Sequence, residues 1–360
     1  MTVEAIDLVQ EQVRAAAADA RRLRIRGGGT KDFYGGPLEG EVLDTRVLRG
    51  IVAYAPTELV VTARTGTPLD ELEDELSRSG QMLAFEPPHH GAGTTLGGVV
   101  ACGFSGPRRA AAGGLRDFVL GVRLVDGSGE ALAFGGQVIK NVAGFDVSRL
   151  MAGALGTLGV LTEISLKCVP RPRVERTRML DCGGVDAIRL CNEWGGQPLP
   201  ISATCHVGDR LWVRLSGAAT AVEAAAPAIG GMEMDGDDAA PWRSLRDQTH
   251  PFFIRAVESA LPLWRLSVRS TAPWEDFGGD LLTEWGAALR WLVPRAPIDA
   301  SRLRSWAAEQ GGHATLYRGA DARAGAFQPP APAILGLHQR LKRVFDPQGI
   351  LNRGRLHPSF

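Results

Sequence analysis

Five cysteines are scattered through 360 residues without one Cys-x-x-Cys pair. That spacing excludes a zinc ribbon, a thioredoxin-type centre and a ferredoxin-type cluster, and no metal site is expected. Cys102, Cys168, Cys182, Cys191 and Cys205 fit a reducing cytoplasm. Net charge is also missing, because 40 basic residues balance 40 acidic ones. No global field therefore draws the protein to nucleic acid or to an anionic membrane. The opening stretch MTVEAIDLVQEQVRAAAADARRLRIRGGG holds no apolar run long enough for a signal peptide or a membrane span. Any membrane association is expected to be peripheral. There is no Walker A loop, since Lys31 is followed by Asp32, and no Rossmann fingerprint, since Leu96 stands where the third glycine is required. No repeat of fixed period is visible.

What the chain does have is glycine, 45 residues of it, within an ordinary globular composition of 44% hydrophobic and 22% charged residues. The glycines concentrate in Arg26-Gly27-Gly28-Gly29-Thr30 and in a run from Gly91 to Pro170. That run strings together GAGTTLGG (Gly91–Gly98), SGPRR (Ser105–Arg109), QVIKNVAGFDVSRL (Gln137–Leu150) and ALGTLGVLTE (Ala154–Glu163). Glycines beside Thr, Lys and Asn leave backbone amides bare enough to cradle a large phosphate-bearing cofactor.

The order of elements points to an α+β fold. Helical spacing covers Ile6–Ala20, and strands are expected at Leu23–Arg26, Val42–Thr45, Ile51–Tyr54 and Leu59–Ala63. A helix over Leu69–Arg78 stops at Gly80. Phe118–Val125 and Glu130–Phe134 flank the hairpin sequence Asp126-Gly127-Ser128-Gly129, and Val160–Val169 is a further strand. Pro170–Arg173 breaks the pattern, and all eight tryptophans lie beyond it. The expected division is residues 1–172 for the cofactor, 173–329 for a smaller α+β domain, and 330–360 for a C-terminal helix and tail packing back on the first domain. Within the second domain, a helix and a mobile acidic loop around Asp235–Asp238 are expected.

Taken together the loops resemble flavoproteins of the vanillyl-alcohol-oxidase/PCMH type, in which FAD lies between two α+β subdomains. RGGGTKDFYGG (Arg26–Gly36) is similar to their first pyrophosphate loop, GAGTTLGGVVACGFSG (Gly91–Gly106) to their second, and GTLGVLTE (Gly156–Glu163) to a strand start whose backbone meets the cofactor. LRDFVLGVRL, GGQVIKNVAGFDVSRLMAGALGTLGV, LWRLSV (Leu263–Val268), GGHATLYRG (Gly311–Gly319) and FDPQGILNRGRL (Phe345–Leu356) further resemble the FAD-binding subunits of bacterial glycolate oxidases. The resemblance implies a subunit of a 2-hydroxy acid dehydrogenase complex. Its partners would be a longer flavoprotein subunit and an iron-sulfur subunit, and it would lie at most peripherally at the cytoplasmic face of the inner membrane. The alternative is an FAD-bearing assembly subunit without chemistry of its own.

The implied cofactor residues are Arg26, Gly27, Gly28, Gly29, Thr30, Lys31, Gly93, Thr94, Thr95, Gly97, Gly98, Ala101, Gly103, Arg108, Lys140, Asn141, Gly159 and Val160. Lys140 suits the flavin edge, with carbonyl capping as its other reading. Arg108 and Arg109 suit phosphate or carboxylate, with surface pairing as theirs. His313 and Arg318 are the candidate catalytic pair, a proton acceptor and a carboxylate holder. Thr30 stands where covalent relatives carry histidine, so FAD is expected without a covalent link. Leu155 replaces a glutamate of related dehydrogenases. Their HxGDGNxH-like metal motif has only a faint echo in Cys205-His206-Val207-Gly208-Asp209.

Overall fold

The computed structural model describes residues 2–137, 145–234, 236–319 and 325–360. The chain divides into two compact units, one of Met1–Phe104, Gly114–Pro170 and Pro329–Phe360, the other of Ser105–Gly113 and Arg171–Gln328. Within the expected span 1–172, Ser105–Gly113 groups with the second unit. The cause is local. Trp285 Nε1 donates to the Gly106 carbonyl at 3.0 Å, Arg108 pairs with Glu175, and the Arg109 guanidinium lies 4.6 Å from the Trp285 ring centroid.

In the first unit the helix Thr2–Ala18 buries Val9, Val13 and Ala16, one face at helical spacing, against Leu23, Leu43, Leu48, Val125 and Val160. Strand Leu23–Arg26 pairs in parallel with Glu41–Asp44. A separate five-stranded antiparallel sheet runs in the order Ile51–Ala55, Val60–Arg64, Val160–Lys167, Val119–Val125, Ala131–Gly135. The turn between the last two sequence-adjacent strands is held by Asp126, whose Oδ1 accepts from the Ser128 and Glu130 amides at 2.9 Å each. Asp favours turns for this reason, its carboxylate satisfying amides that a tight loop leaves over. The helix Leu69–Arg78 buries Leu72 and Leu76 and ends before Gly80, whose φ of 66° a residue with a Cβ adopts only under strain.

The C-terminal helix, Pro332–Phe345, returns the chain to this unit. At its last turn the buried Lys342 ammonium contacts Asp346 Oδ2 at 2.6 Å and donates to the carbonyls of Thr157 at 2.7 Å and Leu351 at 2.8 Å. Asp346 also accepts from the Leu351 amide at 2.8 Å. The next residues join the core as Ile350 and Leu351, and Leu23 exchanges backbone hydrogen bonds with Ile350 and Asn352.

The second unit is an eight-stranded antiparallel sheet in the order Met232–Glu233, Val174–Asp181, Arg210–Gly217, Ile201–Val207, Gly279–Glu284, Leu289–Pro294, Leu263–Ser267, His313–Arg318. Helices Gly184–Gly195 and Ala219–Ile229 cover one apolar cluster and Ala300–Glu309 another. Trp194, Trp242, Trp264, Trp285 and Trp291 are buried. The acidic loop has partners where it is described. Asp238 accepts from the Thr177 amide at 2.8 Å and Asp237 pairs with Arg243, while Asp235 lies outside the described residues.

Removing one partner of a buried ion pair costs about 3–5 kcal/mol, because the other charge stays desolvated. Asp346→Ala is therefore expected to lower the unfolding free energy of the full chain by roughly that amount, read by denaturant titration. A loss below about 1 kcal/mol would mean that the tail is held by its apolar contacts alone.

Candidate functional site

A cleft opens in the first unit. Besides Leu38, Thr45, Thr65 and Leu161, its lining comes from four segments far apart in sequence. They are the first glycine loop (Ile25–Asp32), the second loop and the helix after it (Thr95–Cys102), Leu155-Gly156, and the tail residues Asn352 and Arg355.

The first loop leaves strand Leu23–Arg26 and packs directly on the second. A Cβ on Gly28 would stand 1.8 Å from the Gly93 carbonyl oxygen, and one on Gly27 would stand 2.3 Å from Thr95 Oγ1. The two backbones can approach this closely only because side chains are absent. Thr30 Oγ1 and Thr94 Oγ1 lie 2.8 Å apart and close the seam. Among the described residues, the amides of Gly28, Gly29, Thr30 and Lys31 donate to no protein acceptor. Such a row of bare amides is a nest for anionic oxygen.

The electrostatics match. Lys31 is buried, and desolvation lowers its pKa to about 8, against the opposing influence of Cys102. Burial pushes the Cys102 thiol up to about 11, so it sits in the wall protonated. Arg26 lines the cleft with its Nε 3.2 Å from Asp32 Oδ2, which also takes Arg24 at 2.5 Å. Arg355 donates to the carbonyls of Tyr34 and Gly36, bracing the chain just beyond the first loop. Asn352 works on both sides of the cleft. Its Oδ1 accepts from the Ile25 amide at 2.7 Å and its Nδ2 donates to the Leu155 carbonyl at 2.6 Å. Leu155 itself adopts a φ of 52°, strained for a leucine, and presents an apolar wall to the cleft.

The cleft gathers Arg26, Gly27, Gly28, Gly29, Thr30, Lys31, Thr95, Gly97, Gly98 and Ala101 from the expected set. Gly93 and Thr94 stand just behind, supporting the first loop. Gly103 is the left-handed cap of the helix Leu96–Cys102, and Gly159 and Val160 lead into the central strand away from the lining. Arg108 is not among the cleft-lining residues. It belongs to the second unit, where its guanidinium is taken up by Glu175, a carboxylate that also accepts from Ser216 at 2.6 Å. Burial works to raise the Glu175 pKa, but Arg214 and Arg108 hold it below the ordinary value, so the pair is ionised. Lys140 and Asn141 lie outside the described residues. Asn352 and Arg355 were missed, although their motif was visible. The signal was the polar ILNRGR that follows a helix stop, too short to reveal which surface it joins.

His313 and Arg318 occupy opposite ends of one edge strand. Five residues of strand span about 16 Å, so the two do not converge on a substrate a few atoms long. Desolvation and then the Arg265 charge hold His313 below the usual histidine value, leaving it neutral near pH 7. His206, in the echo of the metal motif, is a core residue. Its Nε2 lies 3.0 Å from the Cys182 carbonyl, its ring meets Trp274 edge-on, and burial lowers its pKa. Among the described residues no group of three or more His, Cys, Asp or Glu side chains could hold a metal ion.

Two glycine loops locked together beside a five-stranded sheet, with bare amides and a buried lysine, define an FAD-binding flavoprotein fold. A family model described as an FAD binding domain matches residues 1–135. The chain is 47% identical over 349 residues to glycolate oxidase subunit GlcE of Escherichia coli K12, covering 96% of each. It is 27% identical to a D-lactate dehydrogenase of Archaeoglobus fulgidus, over 92% of this chain and 85% of that one. Alkyldihydroxyacetonephosphate synthase shares the fold, with a TM-score of 0.66 at 16% identity over 96% of this chain and 73% of that one. The chain belongs to the FAD-binding flavoprotein family that contains the glycolate oxidase GlcE subunit.

Two outcomes follow for the cleft. Gly28→Ala is expected to give a folded protein with at least roughly tenfold less bound flavin, measured as the flavin-to-protein absorbance ratio, since its Cβ has no room beside Gly93. FAD affinity is expected to be flat below pH 8 and to fall above it. The Lys31 ammonium is present in the empty site only below its pKa of about 8, whereas bound phosphate favours the charged form. Lys31→Met should bind more weakly and lose that slope, read by fluorescence titration across pH.

Proposed function

We propose that the chain is the FAD-binding subunit of a glycolate, or more broadly 2-hydroxy acid, dehydrogenase complex. The observation that carries this reading is the 47% identity spanning 96% of both chains to the Escherichia coli glycolate oxidase subunit. The cleft supports it with the groups an FAD pyrophosphate needs, the amides of Gly28–Lys31 and the side chains of Lys31 and Arg26. Bound there, FAD supplies the two-electron acceptor for the hydride that leaves C2 of the hydroxy acid. His313, neutral near pH 7, is the group suited to accept the hydroxyl proton as the 2-oxo acid forms.

No cysteine motif on this chain can hold an iron-sulfur cluster, so electrons leave through partners, which we take to be a longer flavoprotein and an iron-sulfur subunit. None of the described helices is long and apolar enough to cross a membrane, and we place the complex in the cytoplasm or at its membrane face. A second reading, an assembly subunit whose FAD does no substrate chemistry, is favoured by one observation. The residue that echoes the relatives' metal motif, His206, is buried in the sheet and not presented to a ligand.

Anaerobic mixing of the flavin-loaded chain with glycolate and with D-lactate separates the two. The expected result is bleaching of the oxidised flavin band within the mixing experiment. An isolated chain that stays yellow while the assembled complex reacts would establish the second reading instead.

A further inference from the structure

The C-terminal helix Pro332–Phe345 has two rows of side chains at helical spacing, and the fold uses one of them. Leu335, His338, Lys342 and Phe345 recur at three, four and three residues and so share a face. On that face Lys342 and Phe345 are buried, the Phe345 ring lies 6.1 Å from Phe134, and the His338 ring lies 6.3 Å from Phe360.

The second row stands one position earlier. Ile334, Leu337, Leu341 and Val344 repeat the same spacing, and an offset of one residue turns a helix by about 100°. Ile334 and Leu337 are each 46% exposed and Val344 is 72% exposed. Single exposed apolar residues are ordinary on a protein surface, but an aligned apolar row is a contact waiting to be made.

The charge beside this row has one sign. The helix carries no Asp or Glu, and Arg340 and Arg343 lie on the side of the row away from the core. Both are exposed, and among the described residues neither makes an ion pair or a side-chain hydrogen bond. In a chain whose formal charges cancel, this is a local basic rim.

Spacing of three and four residues is that of a seam between two helices, with Ile334 and Leu341 at one position of the repeat and Leu337 and Val344 at the other. A second copy of the chain is the wrong occupant, because two-fold symmetry would set the same arginines against each other. A lipid surface is disfavoured too, since the row has no aromatic residue and only two cations beside it. An acidic partner helix satisfies both the row and the rim.

We propose that the outer face of helix Pro332–Phe345 docks an amphipathic helix of another subunit, one whose own apolar row is flanked by Asp or Glu. This rests on the reading of the chain as a subunit of a dehydrogenase complex. It puts the partner on the element whose tail, through Asn352 and Arg355, lines the flavin cleft.

The test titrates the immobilised, full-length, flavin-loaded chain with the longer flavoprotein and iron-sulfur subunits of the same organism, by interferometry. The double variant Leu337→Lys/Val344→Lys should bind at least tenfold more weakly. Arg340→Glu/Arg343→Glu should also weaken binding and should abolish the loss of affinity that rising salt causes in wild type. Leu8→Lys, at a residue of another helix that is 61% exposed, should bind as wild type does. An unchanged flavin-to-protein ratio shows that a variant keeps its helix in place, and the arginine pair carries the test if the lysine pair does not fold. Unchanged affinity in either folded double variant overturns the proposal and leaves the subunit reading standing. A wild-type chain that binds neither subunit removes the subunit reading and the proposal with it. Self-association, or binding to phosphatidylglycerol vesicles, that Leu337→Lys/Val344→Lys abolishes while subunit affinity is unchanged assigns the face to a second copy or to lipid instead.

Discussion

The buried contact between Lys342 and Asp346 is the constraint from which the flavin site follows. Lys342 spends its three donors on Asp346, on Thr157 and on Leu351, so it ties the end of the C-terminal helix to the loop before the central strand and to the tail at once. Asp346 in turn fixes the amides of Ile350 and Leu351. With those amides placed, Asn352 can reach the Ile25 amide on one wall of the cleft and the Leu155 carbonyl on the other. Arg355 then braces the segment that follows the first glycine loop. A pair of charges away from the cleft thus sets the spacing of its walls.

Arginines show how one side chain takes several fates under the same physics. Arg290, with no surface exposed, satisfies three carbonyls, and desolvation lowers its pKa to about 10. Arg108 is buried against a carboxylate shared with Arg214 and Ser216. Arg265 has rings instead of oxygen atoms around it. Burying a guanidinium costs several kcal/mol unless its donors are met. The first two are components of the fold, and the third is kept part-way in solvent.

Local sequence revealed the parts of the molecule whose causes are local. The strand Leu23–Arg26 runs straight into its glycine loop, the helix Leu69–Arg78 has its leucines at helical spacing, and Asp126–Gly129 carries turn chemistry, so these were legible. The two loops could be assigned to one cofactor because the need for bare amides restricts residue type. Their mutual contact, with Gly28 against Gly93, was not legible, since nothing in either loop says how closely the other passes. Arg108 sits among loop residues in sequence, and its Glu175 partner in the other unit was not legible there. Asn352 and Arg355 escaped because their role exists only once Leu351 has paired with Leu23, more than 300 residues away. His313 and Arg318 looked adjacent in a short motif, but an extended strand separates what a helix or turn would have joined.

The tail's place in the cleft also orders events in time. Translation makes both glycine loops early, then the whole of the second unit, and only afterwards Asn352 and Arg355. A ribosome-bound chain that has completed the loops still lacks the tail residues Asn352 and Arg355 of the cleft lining. A product truncated within the second unit therefore carries the glycine loops without the tail residues that complete the cleft lining.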